Sequence, residues 1–507
     1  MTEAAERFFM DPRRRMLAGF VLALSNFMVV LDLTIANVSV PHIAGNLGIT
    51  PDQGTWIITS YAVAEAICVP LTGWLAQRFG TVRLFIWGMI GFGLFSLLCG
   101  LSTTLGMIVA CRIGQGLCGG PLMPMSQTLL MRIFPAEQRA KVMGLWAMTT
   151  LAGPAVGPII GGYISDNWSW HWIFFINLPI AVVCVFAAMV LLRPAETERH
   201  KLPIDYIGLA LLIFWIGCLQ IMLDTGRDHD WFGDPMIVAL AVMAGIGFLV
   251  FIIWELTEEH PIVDLRVFRH VGFTSGVLTL SLCFGAYFAG IVIIPQWLQM
   301  SMGYPAYSAG FVTAFTAMTA ILAAPFAGRA VGKIDVRLLI SGSVIWMGMV
   351  TMWRSGWTST ADFWTLAMPQ VVQGFAMPFF MIPLTTLTLG SVRPEETASA
   401  AGMQSFLRTL AVAISTSIVL TGWGNGQRTA RNEMVSALDP GVGSQLAGSG
   451  LSAEQTPQMI ANLVDQQATI LSMNHVFFVA ALVLFLAGAL VWFAPKPTGR
   501  VDMSAAH

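Results

Sequence analysis

The sequence predicts an all-α polytopic membrane protein of fourteen transmembrane helices, built as two pseudo-symmetric six-helix bundles with two inserted helices. Three observations predict it. The 507 residues are 56% hydrophobic and only 11% charged, with a mean hydropathy of +0.72, which excludes a soluble chain. Apolar runs of about 20 residues, the length that crosses ~30 Å of hydrocarbon at ~1.5 Å per residue, recur from Met16 to the region of Val491. Two pairs of motifs then recur eight helices apart. Strands of an outer-membrane barrel would alternate over about 10 residues, and no such alternation is present.

Taken in order, span 1 is expected at 17–39. Arg7, Arg13, Arg14 and Arg15 precede it as in a signal peptide, but the run is too long, contains Asp32 and lacks a small-residue cleavage site, so it reads as an uncleaved first span. Span 2 (56–76) carries Tyr61 and Glu65 and runs into a loop from Gly73 through Arg78 and Gly80 to Arg83; span 3 follows at 83–102. Span 4 (105–131) holds Arg112 and Gln115 ahead of Pro121 and Pro124. Span 5 (141–165) is marked by Gly153, Pro154, Gly157, Pro158, Gly161 and Gly162. Small residues let helix backbones approach and prolines weaken the ladder, so close packing and a moving hinge are one expectation here. Span 6 (172–193) follows Trp170.

Spans 7 (205–224) and 8 (236–256) end in Asp224 and Glu255, both expected near water. Span 9 (273–299) bears Tyr287, span 10 (307–328) leads into Gly328 to Arg337, and span 11 is expected at 338–355. Span 12 (364–390) holds Gln370, Gln373, Pro378 and Pro383, span 13 (399–422) contains Arg408, and span 14 covers 473–494. The 422–472 connection is long and polar, with helical character at 428–438 and 454–470; loops this long are often functional.

Of the 26 Lys and Arg residues, 20 fall in inner segments and 4 in outer ones when both termini are placed inside, with Arg112 and Arg408 within spans. The positive-inside rule therefore sets the orientation. The repeat divides the chain. Arg112-Ile-Gly-Gln115-Gly116 in span 4 parallels Gln370-Val-Val-Gln373-Gly374 in span 12, and Gly73 to Arg83 after span 2 parallels Gly328 to Arg337 after span 10. An offset of eight implies one half over 1–200, two inserted spans over 201–260 and a second half over 261–507.

Other chemistry is not indicated. All seven cysteines fall in predicted spans, so neither a disulfide framework nor metal-ligand spacing is read from them. Gly328 to Lys333 has three residues between its glycines, no following Ser or Thr and no preceding strand, so it is no phosphate loop and ATP is not expected to be used. No serine-elbow, zinc or dinucleotide fingerprint occurs, no enzyme activity and no cofactor is expected, and a net charge of only -2, with the basic residues spread over inner loops, makes nucleic acid an unexpected partner.

Asp32, Glu65 and Arg112 are the informative residues. Counting along their helices places all three roughly 10 to 14 Å below the outer surface. An ionised group in hydrocarbon costs at least ~2.5 kcal/mol, so three at one depth point to a shared polar cavity and to proton coupling. A permanent structural pair between Asp32 and Arg112 is the competing expectation. Helical spacing aligns Ser25, Asp32, Ala36 and Ser39 on span 1, Tyr61, Glu65, Cys68 and Thr72 on span 2, and Arg112, Gln115, Gly119 and Ser126 on span 4. Tyr61, Gln115, Tyr287, Gln370 and Gln373 are the expected substrate contacts.

Leu31 to Pro41, Gly73 to Arg83, Arg112 to Gly116, Gly153 to Gly162 and Trp170 to Pro179 together resemble the major facilitator superfamily, in its fourteen-span drug:proton antiporter branch of the EmrB/QacA type. The resemblance covers essentially the whole chain. It implies the major facilitator fold and proton-driven export of hydrophobic or amphipathic drugs by alternating access across a bacterial inner membrane, with Asp32 and Arg112 at matching functional positions. It also implies an EmrA-like periplasmic adaptor and a TolC-like outer-membrane channel, with the 422–472 hairpin as the contact. Gln77 departs from the pattern, which has an acid there. An importer, or an exporter dedicated to one metabolite, would use the same fold; a membrane enzyme or receptor would leave the repeat unexplained.

Overall fold

The computed structural model describes residues 10–200, 203–227, 229, 231–331, 333–437 and 455–493. Among them the secondary structure is helical, with one isolated bridge between Val331 and Ile334. Hydrocarbon offers backbone N–H and C=O groups no partner, so each span must close its own hydrogen bonds.

Keeping the numbering above, span 1 is Pro12–Leu47, span 2 Pro51–Cys68 continued by Thr72–Phe79, span 3 Thr81–Gly100, span 4 Leu105–Gly119 continued by Leu122–Ile133, span 5 Ala136–Asn167 and span 6 Trp172–Phe175 with Asn177–Leu191. Spans 7 and 8 are Tyr206–Thr225 and Pro235–Thr257. Spans 9 to 14 are Val271–Met300, Ala306–Ala330, Val336–Arg354, Phe363–Gly390, Thr397–Ala437 and Gln455–Leu490. Twelve are long and apolar enough to cross a membrane, and two bent pairs bring the number to fourteen. Span 2 turns by 61° at its break, where Pro70 has no N–H to donate. Span 5 turns by 41° between Gln138–Pro154 and Val156–Asn167, within its glycine-proline run.

Polar caps fix the starts of several spans. Thr50 and Gln53 form a capping box at span 2, and Asp205, Asp234, Asp335 and Asp362 accept the first free N–H groups of spans 7, 8, 11 and 12. Spans 13 and 14 are longer than the sequence suggested. The helical segments expected in the 422–472 connection are unbroken extensions of these two spans, joined by Arg431 Nε to Asp465 Oδ1 at 2.6 Å and Gln427 Nε2 to Thr469 Oγ1 at 2.8 Å. The tip of that hairpin, 438–454, lies outside the described residues.

Packing repeats with the same period as the motifs. Span 1 packs on 5, 2 on 4 and 3 on 6; eight positions on, 9 packs on 13, 10 on 12 and 11 on 14. The paired glycines explain why two of these contacts are so close. A Cβ at Gly116 would fall on the Tyr61 carbonyl of span 2, and one at Gly374 on the Thr316 carbonyl of span 10. Span 5 lies along span 10, and the second part of span 2 meets the start of span 13 at the arginine-rich face, where Gly73 touches Ser399. Span 7 leans on spans 2 and 13, with Trp215 edge-on to Phe406 and Ser417 Oγ donating to the Leu223 carbonyl at 2.9 Å. Span 8 packs mainly on span 7 and leaves residues such as Ile246, Leu249 and Ile253 on the outside of the bundle.

This packing predicts that Gly116→Leu and Gly374→Leu each destabilise the protein by ~1–3 kcal/mol or more, as overpacked sites do. Gly342→Leu, at a span 11 position with nothing within 4 Å, serves as the control. Thermal unfolding followed by size-exclusion recovery measures all three; equal losses would refute the close-approach argument.

Candidate functional site

Four helices converge on the buried Asp32 carboxylate or its guanidinium partner, and the local sequence explains each. Span 1 carries Asp32 on the same face as Ser25, Ala36 and Ser39, all fully buried. Span 4 supplies Arg112 and, one turn later, Gln115. Arg112 Nη1 donates to Asp32 Oδ2 at 2.7 Å and to Gln115 Oε1 at 2.7 Å, while Gln115 Nε2 donates to Asp32 Oδ1 at 3.0 Å. Span 6 adds Asn177, whose Nδ2 lies 2.7 Å from Asp32 Oδ1 and 3.0 Å from Ser96 Oγ of span 3. Arg112 Nε donates to the Ile57 carbonyl of span 2 at 3.1 Å, and its guanidinium lies 4.4 Å from the Tyr61 ring centre. Asp32 is 0% and Arg112 1% exposed. A buried pair is tolerated only when its remaining lone pairs and protons are satisfied, and here nearly all are.

Glu65 is in a different situation. It lies one turn beyond Tyr61 and is buried, yet its carboxylate makes no hydrogen bond or ion pair with the described residues. The charges that act on it are Arg408 first, then Arg112 and Asp32. Arg408 belongs to span 13 and rests on the other half of the molecule, its guanidinium against Met123 Sδ and 6.0 Å from the Trp146 ring, with Phe284 of span 9 at 5.5 Å. Each is thus the leading countercharge of the other, across the two bundles, without a bridge between them.

The second half holds its own polar centre. Arg354 Nη2 donates to Gln370 Oε1 at 2.8 Å, and Thr316 Oγ1 donates to the same oxygen at 3.0 Å. These side chains, with Tyr287 and Pro154, line a small cavity between spans 5, 9, 10, 11 and 12. Of the expected substrate contacts, Tyr287 and Gln370 therefore face a cavity. Gln373 is buried with Oε1 unpartnered and is not among the residues that line the cavity, while Tyr61 and Gln115 are consumed by the Asp32–Arg112 network.

Most of the expected hinge residues lie at close contacts. Gly153, Gly157 and Gly161 face Val30, Thr34 and Ile35 of span 1, with Thr34 Oγ1 3.1 Å from the Gly153 carbonyl oxygen; Pro158 is half-buried and Gly162 has no neighbour within 4 Å. In the loop after span 2, the Arg78 guanidinium lies 5.2 Å from the Trp74 ring, and Gly80 has φ +92°. Gln77 leaves this turn without its own acid, but Glu196, after span 6, supplies one. Its carboxylate accepts from the Val82 and Arg83 N–H groups at 3.0 and 3.2 Å and lies 3.8 Å from Arg83 Nε, capping span 3.

The sequence assigns no role to Glu196 or Arg354, and it places Asn177 in the Trp170 to Pro179 motif and Arg408 within span 13 without a partner for either. Arg354 ends its span and so falls with the outer segments in the sequence, yet it is only 3% exposed. Asn177 had a signal, a lone amide within the Trp170 to Pro179 motif. One expectation is corrected: Glu255 does not meet water but is 2% exposed, because the segment after span 8 folds over it and Val263 N–H donates to its Oε2 at 3.1 Å. Asp224 is exposed, as expected, and accepts from Gln220 at 3.2 Å.

Comparison with known proteins agrees with this geometry. Residues 22–416 match the Major Facilitator Superfamily. The chain is 44% identical over 485 residues to the multidrug export protein EmrB of Escherichia coli (strain K12), covering 94% of this chain and 95% of the relative. It is 39% identical over 482 residues to the fatty acid resistance protein FarB of Neisseria gonorrhoeae, covering 94% and 95%. The structure of the human organic anion transporter MFSD10 superposes with a TM-score of 0.57 at 13% identity, over 94% of this chain and all of that one, a likeness of fold alone. With the family pattern spanning most of the chain and export proteins related along nearly its whole length, the protein belongs to the Major Facilitator Superfamily, alongside the EmrB multidrug export proteins.

Proposed function

We propose that the protein exports hydrophobic or amphipathic compounds across a bacterial inner membrane in exchange for protons, by alternating access of the 1–200 and 261–507 halves around the 201–260 insertion, with both termini in the cytoplasm. The observation that carries the proton coupling is the buried Glu65 carboxylate, without a hydrogen bond or ion pair among the described residues, whose leading countercharge is Arg408 of the other bundle. While Glu65 is ionised it attracts Arg408 and draws span 2 toward span 13. A proton arriving from the outside removes that attraction and lets the bundles part. Each inward proton also moves one charge down the membrane potential, worth ~2.3 kcal/mol per 100 mV.

Asp32 and Arg112 take another role in this reading. With three donors on one carboxylate, Asp32 organises the helices around Glu65 and holds Arg112 as a fixed positive neighbour. Substrate occupies the cavity beside Tyr287 and Gln370, and span 5, whose Pro154 lines that cavity and whose glycines grip span 1, carries the movement between the halves. Multidrug export in the name of EmrB and fatty acid resistance in that of FarB support this reading. The extended ends of spans 13 and 14 would receive a periplasmic adaptor that leads to an outer-membrane channel.

In proteoliposomes with an imposed proton gradient, Glu65→Gln is expected to reduce gradient-driven efflux to the background seen with an uncoupler, while substrate exchange without a gradient persists. Efflux that stays uncoupler-sensitive in this variant would sink the assignment. Asp32→Asn is expected to behave differently, costing on the order of 3–5 kcal/mol of stability by leaving Arg112 buried without its carboxylate; a thermal shift no larger than that of Glu65→Gln would contradict the organising role. For the adaptor, a pull-down with the wild-type chain and with 438–454 deleted should recover an adaptor only with the former.

A further inference from the structure

The two bundles treat their buried cations unequally. Arg112 has the Asp32 carboxylate, whereas Arg354 of span 11, equally deep in the second bundle, forms no ion pair with any described carboxylate. Its partners are neutral oxygens, Gln370 Oε1 at 2.8 Å and the Pro369 carbonyl at 3.5 Å, and its Nε has none. Gln370 Nε2 beside it is also unpartnered. Arginine stays protonated in proteins, so the charge cannot be shed by deprotonation. An uncompensated buried cation costs several kcal/mol, and two adjacent unused donors raise that cost.

The same groups border the cavity, and among the described residues none that lines it carries a carboxylate. Its lining mixes two chemistries. Arg354, Gln370 and Tyr287 bear hydrogen-bond donors, and Ile291, Ile294 and Pro154 are apolar. Resting on the export reading above, we propose that the cavity is a subsite for amphipathic anions: a carboxylate or similar oxyanion accepts from Arg354 and Gln370 Nε2 while its apolar part lies along Ile291 and Ile294. The guanidinium fork suits a planar carboxylate, and the missing countercharge is delivered by the cargo and leaves with it.

The test uses purified full-length protein in nanodiscs and two probes of equal chain length, decanoate and decyltrimethylammonium, titrated by calorimetry. Arg354→Gln should weaken decanoate at least about thirtyfold, the ~2 kcal/mol floor for removing one member of a buried charged pair, while leaving decyltrimethylammonium unchanged within about twofold. Arg354→Lys should recover part of the loss. Gln370→Glu gives an independent reading should Arg354→Gln fold poorly, because it places a permanent carboxylate against Arg354; it should abolish decanoate binding and raise thermal stability. Equal effects on both probes, or none on decanoate, would overturn the anion subsite. So would binding of sodium chloride that displaces decanoate at equal concentration, which would make this an inorganic-anion site. Failure of both probes to bind the wild type, together with no gradient-driven efflux, would instead remove the export reading and this proposal with it.

Discussion

Charge buried in hydrocarbon is the constraint on which the rest of the structure depends. The Asp32–Arg112 pair has been taken out of water, and such a pair is tolerated only when its remaining donors and acceptors are largely satisfied. Satisfying it requires Gln115 from the same helix, Asn177 from span 6 and the Ile57 carbonyl from span 2. The pair thereby determines where four helices sit. It also places Tyr61 against the guanidinium, and Glu65 one turn away from that ring.

Around this centre the chain alternates tight contacts with weakened backbone. Gly116 on Tyr61 and Gly374 on Thr316 bring helices to backbone distance within each bundle. Spans 2 and 5, which touch partners across the bundles, are the two that bend by more than 40°. Rigid pairs inside a half and bent helices between halves are what a rocking movement needs, since packed interfaces shift between discrete arrangements rather than deform.

The repeat conserves geometry but not charge. Helix pairs and their glycines recur at an offset of eight, whereas the carboxylate that neutralises Arg112 has no counterpart at Arg354 among the described residues. One half is therefore electrostatically closed on itself and the other is left incomplete beside a cavity. Glu196 shows a related freedom: the loop after span 2 lacks an acid at Gln77, and a carboxylate from another connection caps the same turn.

Sequence alone determined the fold class, because apolar length and hydrogen-bond closure in lipid leave little choice but helices, and because arginine placement and motif spacing survive in one dimension. It also picked out Asp32, Glu65 and Arg112, since a charge in an apolar run is visible without any neighbour. It could not separate their roles. Whether a carboxylate is saturated, like Asp32, or bare, like Glu65, depends on side chains 80 and 145 positions away for the first, and on span 13 for the second. Arg354 and Glu255 looked like residues at helix ends near water, and only the packing of other segments over them made them buried. Depth along a helix is written in the sequence; burial and pairing are set by what comes to lie beside it, so the tertiary structure alone decided which charges are locked and which are left to act.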